Sequence, residues 1–265
     1  MHHSALLNVM IAAARKAARA LKRDFGELEK LQVSLKGPGN FVSAADRRAE
    51  ETLYAELMKA RPGYSFLGEE GGSREGADKT HTWIVDPLDG TTNFLHGIPQ
   101  FAISIALERE GTVVAGLIYN PANEEMFIAE RGKGAFLNEQ RIRVAARKQL
   151  HDAVFACGLP HHGHGDIALS TKETGAMQEH VAGLRRFGAA ALDLAWVAAG
   201  RLDGYWERDL KPWDMAAGTI LVREAGGFVS DCDGGDDMFQ KGHIVAGNEA
   251  MQKALLAVLK AGRKA

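Results

Sequence analysis

The chain has 265 residues, enough to bury a substantial core as one large domain or two closely joined halves. Its 46% hydrophobic and 25% charged residues are ordinary for a globular protein, and a formal net charge of −2 gives no electrostatic reason to expect nucleic-acid or membrane binding. Two cysteines, Cys157 and Cys232, are too few for a disulfide framework and lack metal-ligand spacing, so a reduced, cytoplasmic protein is expected. The first residues carry no basic n-region, and Arg15 breaks their apolar stretch. Neither a signal peptide nor a transmembrane span is expected.

Taken in chain order, residues 4–22 have helical spacing, with Leu6, Leu7, Met10, Ala14, Ala17 and Leu21 on one side. Residues 35–40 are a breaker cluster, Leu-Lys-Gly-Pro-Gly-Asn, expected as a loop. A second helix is expected over 43–59, with Asp46 three positions after a Ser43 cap, and a short strand over 64–67 leads into Gly68-Glu69-Glu70-Gly71-Gly72. Residues 101–108, 112–119 and 125–129 read as an antiparallel meander. Beyond about residue 145 the pattern changes. Strands over 153–157, 204–206, 228–230 and 244–246 alternate with helices over 166–181, 189–199, 213–225 and 248–259. The expectation is an α/β chain with two sheet regions and helices packed between and around them, its halves dividing near residues 145 and 146.

The most informative stretch is residues 83–94, Trp-Ile-Val-Asp-Pro-Leu-Asp-Gly-Thr-Thr-Asn-Phe. Trp83, Ile84 and Val85 suit a buried strand, which Asp86 and Pro87 are expected to end in a turn. Asp86, Asp89 and the Leu88 carbonyl can then face one point, Gly90 admits close backbone approach, and a helix starting at Asp89 or Thr91 adds free N–H groups. Hard-cation ligands beside anion-binding amides suit a phosphate ester held against magnesium. The plainer reading is a common turn with a helix cap. Glu69 has a plain reading as a surface turn, and Asp214, in Lys211-Pro212-Trp213-Asp214-Met215, as a helix cap. A cap carboxylate keeps a second oxygen free, and Glu69, Asp86, Asp89 and Asp214 together could hold two or three magnesium ions.

These three motifs, in this order and spacing, resemble those of the inositol monophosphatase family, as does Gly188-Ala189-Ala190-Ala191-Leu192-Asp193 ahead of the third. The likeness covers nearly the whole chain. Relatives acting on 3′-phosphoadenosine phosphates or histidinol phosphate carry a lysine in the second position of the pair Thr91-Thr92, so this chain looks like the inositol monophosphatase branch. The resemblance implies a layered αβαβα sandwich, homodimeric, with Mg²⁺-dependent, lithium-inhibited phosphomonoesterase activity. It implies one metal on Glu69, Asp86 and the Leu88 carbonyl, a second on Asp86, Asp89 and Asp214, and a weaker third near Glu69. Thr91 and Asp46 would pair to help deprotonate water, with Asp46 or Glu69 taking the proton. The Gly90 and Thr91 amides would hold phosphate, and Asp89, the Ala190 amide and Glu207 would contact substrate hydroxyls. Lys36 would lie in a mobile loop over the metals. One departure is Ala189, where relatives often carry serine or threonine.

The alternatives are a broader phosphatase for fructose 1,6-bisphosphate, NADP⁺ or nucleotides, and a factor associated with RNA or RNA polymerase. No membrane partner is expected. His161-His162-Gly163-His164 lacks a carboxylate or cysteine at ligand spacing and reads as an exposed loop. Asp231, Asp233, Asp236 and Asp237 read as a polar turn, Trp83 and Trp213 as core, and Asp193 as a structural residue bonded to a neighbouring element.

Overall fold

Helix α1 (Ala5–Phe25) forms where the apolar spacing predicts it. Ser4 caps it by accepting the Leu7 N–H at 3.1 Å, and Leu7, Met10, Ala14, Ala17 and Leu21 make its buried stripe. The computed structural model describes residues 3–27, 33–37, 40–161 and 163–263, with the backbone alone for 33–37 and 40–43. The expected loop over 35–40 is in part a hairpin, β1 (Val33–Gly37) pairing antiparallel with β2 (Asn40–Ser43). Pro38 and Gly39, and the side chains of Lys36 and Ser43, lie outside the described residues. Helix α2 (Ala44–Ala60) follows. Its buried stripe, Ala45, Asp46, Ala49, Glu50, Leu53 and Leu57, carries two carboxylates among the apolar residues.

Strand β3 (Ser65–Gly68), an edge strand β4 (Gly72–Arg74) and β5 (His81–Asp89) come next. The expected turn after Asp86 is not a chain reversal, because β5 continues through Pro87. Its pairing with β6 (Ala102–Arg109) steps from Asp86 opposite Ser104 to Asp89 opposite Ala102, so one extra residue is absorbed as a bulge. A bulge is one of the few places where a sheet interior tolerates a residue without an N–H. Short α3 (Thr91–Leu95) follows, with Gly90 at its N-cap in the left-handed region at φ 85°.

The meander forms as expected in β6, β7 (Thr112–Asn120) and β8 (Glu125–Glu130), and is extended by β9 (Gly134–Leu137) and β10 (Gln140–Arg141). Among the described residues these strands complete a sheet in the order β10-β9-β8-β7-β6-β5-β3-β4. The second sheet is built from β11 (Val154–Cys157), β12 (Gly183–Arg185), β13 (Gly204–Glu207), β14 (Phe228–Ser230) and β15 (Ile244–Gly247), ordered β12-β11-β13-β15-β14.

Five further stretches fold as α4 (Ile167–Gln178), α5 (Ala190–Ala198), α6 (Pro212–Glu224), the short α7 (Met238–Lys241) and α8 (Glu249–Gly262). Helices α1 and α2 cover one face of the larger sheet, α5 and α6 lie between the sheets, and α4 and α8 pack outside the smaller one. The layers therefore run αβαβα, as expected. Three clusters fill the interfaces: Leu53 with Trp83 and Phe94, Leu194 with Ile220 and Tyr205, and Phe155 with Met177 and Leu255. Among the described residues no helix is long and apolar enough to cross a membrane.

Candidate active site

The bulge in β5 positions the first acids. Asp86, 2% exposed, accepts the Leu88 N–H at 2.8 Å, which curls the strand end and leaves the Leu88 carbonyl 3.0 Å from the Thr91 hydroxyl. That hydroxyl is also 2.9 Å from Asp46 Oδ1, and Asp46 is buried on α2. Asp89, 9% exposed, accepts the Ala191 N–H at 2.8 Å, so a carboxylate from the first sheet seats on the first turn of α5. Asp214 is not itself the cap: it sits at the third position of α6, behind Lys211 and Pro212, and accepts the Lys211 N–H at 2.6 Å as one half of a capping box. Glu207 ends β13 and accepts the Tyr205 hydroxyl proton. A Cβ on Gly158 would run into the Glu207 carboxyl, so glycine there makes room for it.

Glu69, Asp86, Leu88, Asp89, Gly90, Thr91, Ala190, Glu207 and Asp214 line one cavity of about 420 Å³. Asp46 stands behind Thr91 rather than on the wall. The Lys36 side chain is outside the described residues. Residues that the sequence reading set aside also reach the cavity. His161 and His164 are exposed, as expected, but they bridge each other at 4.6 Å between rings and border its mouth, while His162 lies outside the described residues. Trp213 is only partly buried and lines the wall, whereas Trp83 is fully buried in the core.

Two further residues depart from expectation. Asp193, 1% exposed, has no hydrogen-bond partner for Oδ1 among the described residues, so the expected bond to a neighbouring element is not made by that oxygen. Asn93 stands in the motif with no role evident from the sequence. Its Nδ2 donates to the carbonyls of Gln100 at 2.8 Å and Phe187 at 2.7 Å, tying α3 to the segment that leads into α5. Its place directly after two threonines at a helix start is the only signal in the sequence.

The electrostatics are unusual for a structural cluster. Burial, then repulsion from Glu69, Asp89 and Asp214, pushes the Asp86 carboxyl well above the ordinary range. Burial raises Asp89 to about 7 against the opposing Ala191 hydrogen bond, and Asp214 rises through burial and repulsion from Asp89. Burial likewise brings Glu207 to about 7. Among the described residues no Lys, Arg or His forms an ion pair with Asp86, Asp89 or Asp214. Nor do three His, Cys, Asp or Glu side chains there converge closely enough to enclose an ion. One oxygen each of Asp86, Asp89 and Asp214 accepts a backbone N–H. The donor set still fits a hard divalent cation: it is all oxygen, buried, mutually repulsive and lacks a neutralising side chain.

An αβαβα sandwich with carboxylates gathered at strand ends and helix starts is the arrangement of a layered phosphatase. Within that class the chain belongs to the inositol monophosphatase family, whose model matches residues 2–263. It is 62% identical to an inositol-1-monophosphatase of Mesorhizobium japonicum over 98% of both chains. The crystal structure of the extragenic suppressor protein suhB from Bartonella henselae superposes with a TM-score of 0.96 at 57% identity, covering 98% of this chain and 100% of that one. A Pseudomonas aeruginosa relative named Nus factor SuhB is 45% identical, covering 96% of this chain and 95% of that protein. Metal dependence is general in the family.

Proposed function

We propose that the chain is a Mg²⁺-dependent phosphomonoesterase that hydrolyses myo-inositol monophosphates, converting inositol 1-phosphate to inositol and phosphate. The observation that carries this reading is the buried, mutually repelling set Asp86, Asp89 and Asp214 on one cavity wall with Glu69 and the start of α3. The relative from Mesorhizobium japonicum bears the matching name. Glu69, Asp86, the Leu88 carbonyl, Asp89 and Asp214 are the ligands assigned to two or three magnesium ions. When bound, such ions neutralise charge on the phosphoryl oxygens and acidify water at neutral pH.

The chain's own groups supply the rest. With its proton directed to Asp46, the Thr91 hydroxyl turns a lone pair toward the attacking water, and Asp46 or Glu69 accepts the proton that water loses. The Gly90 and Thr91 amides hold the phosphate, and Asp89, the Ala190 amide and Glu207 orient the polyol hydroxyls. We read the enzyme as lithium-sensitive, homodimeric and cytoplasmic. Cys157 and Cys232 are buried thiols whose pKa burial pushes up to about 12, which suits residues with no redox task.

The test is phosphate release from inositol 1-phosphate with and without Mg²⁺, alongside fructose 1,6-bisphosphate, 3′-phosphoadenosine 5′-phosphate and NADP⁺. Turnover that needs Mg²⁺ and is fastest on inositol 1-phosphate is expected. A different leading substrate would replace the specificity and keep the metal site. A second reading, association with RNA or RNA polymerase, is favoured only by relatives that carry the name Nus factor. Absence of turnover on every ester, with salt-sensitive binding to RNA polymerase, would put it first.

A further inference from the structure

Helix α2 presents two carboxylates one turn apart on its buried stripe, Asp46 and Glu50. Asp46 meets Thr91. Glu50, 5% exposed, has both oxygens engaged elsewhere: Oε2 accepts the Glu70 N–H at 2.8 Å and Oε1 accepts the Gly71 N–H at 2.6 Å. Those two amides directly follow Glu69, whose own N–H donates to the Val85 carbonyl at 3.2 Å. The Glu69 backbone is thus pinned on one side by β5 and on the other by α2. The glycines around it are what let the clamp close. A Cβ on Gly68 would collide with the Glu50 carboxylate, and one on Gly71 would stand 2.7 Å from Glu50 Oε1.

We propose that Glu50 is a positioning residue for metal binding: it holds no ion itself but fixes the loop from which Glu69 reaches the cavity. The inference rests on the phosphatase reading above. Hydrogen bonds from backbone N–H to a carboxylate are charge-assisted and stronger than neutral ones. Without them the loop between β3 and three-residue β4 would have to be ordered when the cation binds, and affinity would fall by that cost. Because Asp46 and Glu50 share one helix, the Asp86–Thr91 corner and the Glu69 loop are both referenced to one rigid element.

The test uses the full chain, with Mg²⁺ binding followed by calorimetry and turnover followed by phosphate release. Glu50→Gln keeps the shape but has one acceptor oxygen, and its amide group meets a backbone N–H donor against donor. Mg²⁺ affinity is expected to fall about 10-fold to 100-fold, with kcat at saturating Mg²⁺ within about threefold of wild type and partial recovery of affinity in Glu50→Asp. A folded Glu50→Gln variant that binds Mg²⁺ like the wild type would overturn the role of Glu50 and leave the phosphatase reading standing. Wild-type protein that binds no Mg²⁺ would take both down. Should the variant fail to fold, amide exchange in the wild type decides: slow exchange at Glu70 and Gly71 supports the clamp, and unprotected exchange there overturns it.

Discussion

Asp214 and Thr91 sit 123 positions apart in the chain yet face one cavity, and their substitutions should fail in different ways. In Asp214→Asn the side-chain carbonyl can still accept the Lys211 N–H, so the start of α6 should survive while the charge assigned to a metal is lost. Turnover is expected to drop at least ~100-fold with little change in melting temperature. Wild-type turnover in a folded variant would remove Asp214 from the ligand set. Thr91→Ala deletes the hydroxyl that links Asp46 to the Leu88 carbonyl. If that hydroxyl orients water in the transition state, kcat should fall by much more than KM rises. A change confined to KM would make Thr91 a binding residue. The sequence was most legible at this scale where local chemistry is self-announcing, as in Asp86 to Thr91 with its proline and glycine. It was least legible where a partner is remote. Asp46 looks like half of a capping box until α2 packs against Thr91, and neither the clamp of Glu50 nor the unpaired Oδ1 of Asp193 has any local signature.

Among the elements, those with a clear apolar period match the expectation, as do short β14 and α3, whereas several of the shortest polar strands do not. Strands β4, β10 and β12 have two or three residues each, largely polar or exposed, and exist because a neighbouring strand offers its edge. Because proline removes a donor, the sequence predicts that β5 stops at Asp86, and only the pairing with β6 shows that a bulge accommodates Pro87. The turn after β14 was expected to be merely polar. Instead Asp231 is fully buried, with Oδ1 accepting the N–H groups of Asp233 and Gly235 and Oδ2 accepting from Lys241 Nζ at 2.7 Å. Burial pushes its carboxyl up, but the bonds from Lys241 and the two amides outweigh this and bring it to about 2. A depressed carboxylate stabilises the fold above its unfolded pKa and ceases to do so as pH falls through the folded one. Asp231→Asn should therefore cost about 2 kcal/mol at pH 7, with the difference from wild type fading between about pH 4 and pH 2. Urea unfolding across that range measures it. A difference independent of pH would show that packing, and not charge, sets the cost.

The whole molecule places its acids where two sheets and three helix starts meet, and this gives the opposite pH dependence. Asp89 and Glu207 stand at about 7 in the folded chain, against about 4 when unfolded. A raised carboxyl pKa contributes stability that is full below the unfolded value and is lost as pH rises through the folded one. Without divalent metal, the melting temperature should fall between about pH 4 and pH 7 as these groups ionise. Saturating Mg²⁺ binds the ionised form and should raise it, by an increment that grows with pH. Scanning calorimetry with Mg²⁺ and with a chelator tests this. An increment that is flat across the range would mean that the acid cluster is not where the metal acts. The layered architecture itself was legible, since the change from meander to alternating helices and strands near residue 145 reflects two different sheets.

Between larger residues such as Leu194 and Ile220, the middle layer relies on very small ones. Ala190, Ala191, Ala195 and Ala198 of α5 and Ala216, Ala217 and Gly218 of α6 are buried between the sheets. A Cβ on Gly116 of β7 would stand 2.6 Å from Ile220 and 2.8 Å from the Ala217 carbonyl, and one on Gly218 would strike Leu194. Asp89 comes from the sheet on one side of this layer and Glu207 from the sheet on the other. The smallest side chains in the chain therefore act as a shim whose thickness sets the jaw width of the pocket, so selection for catalysis would be felt at alanines and glycines that never see the substrate.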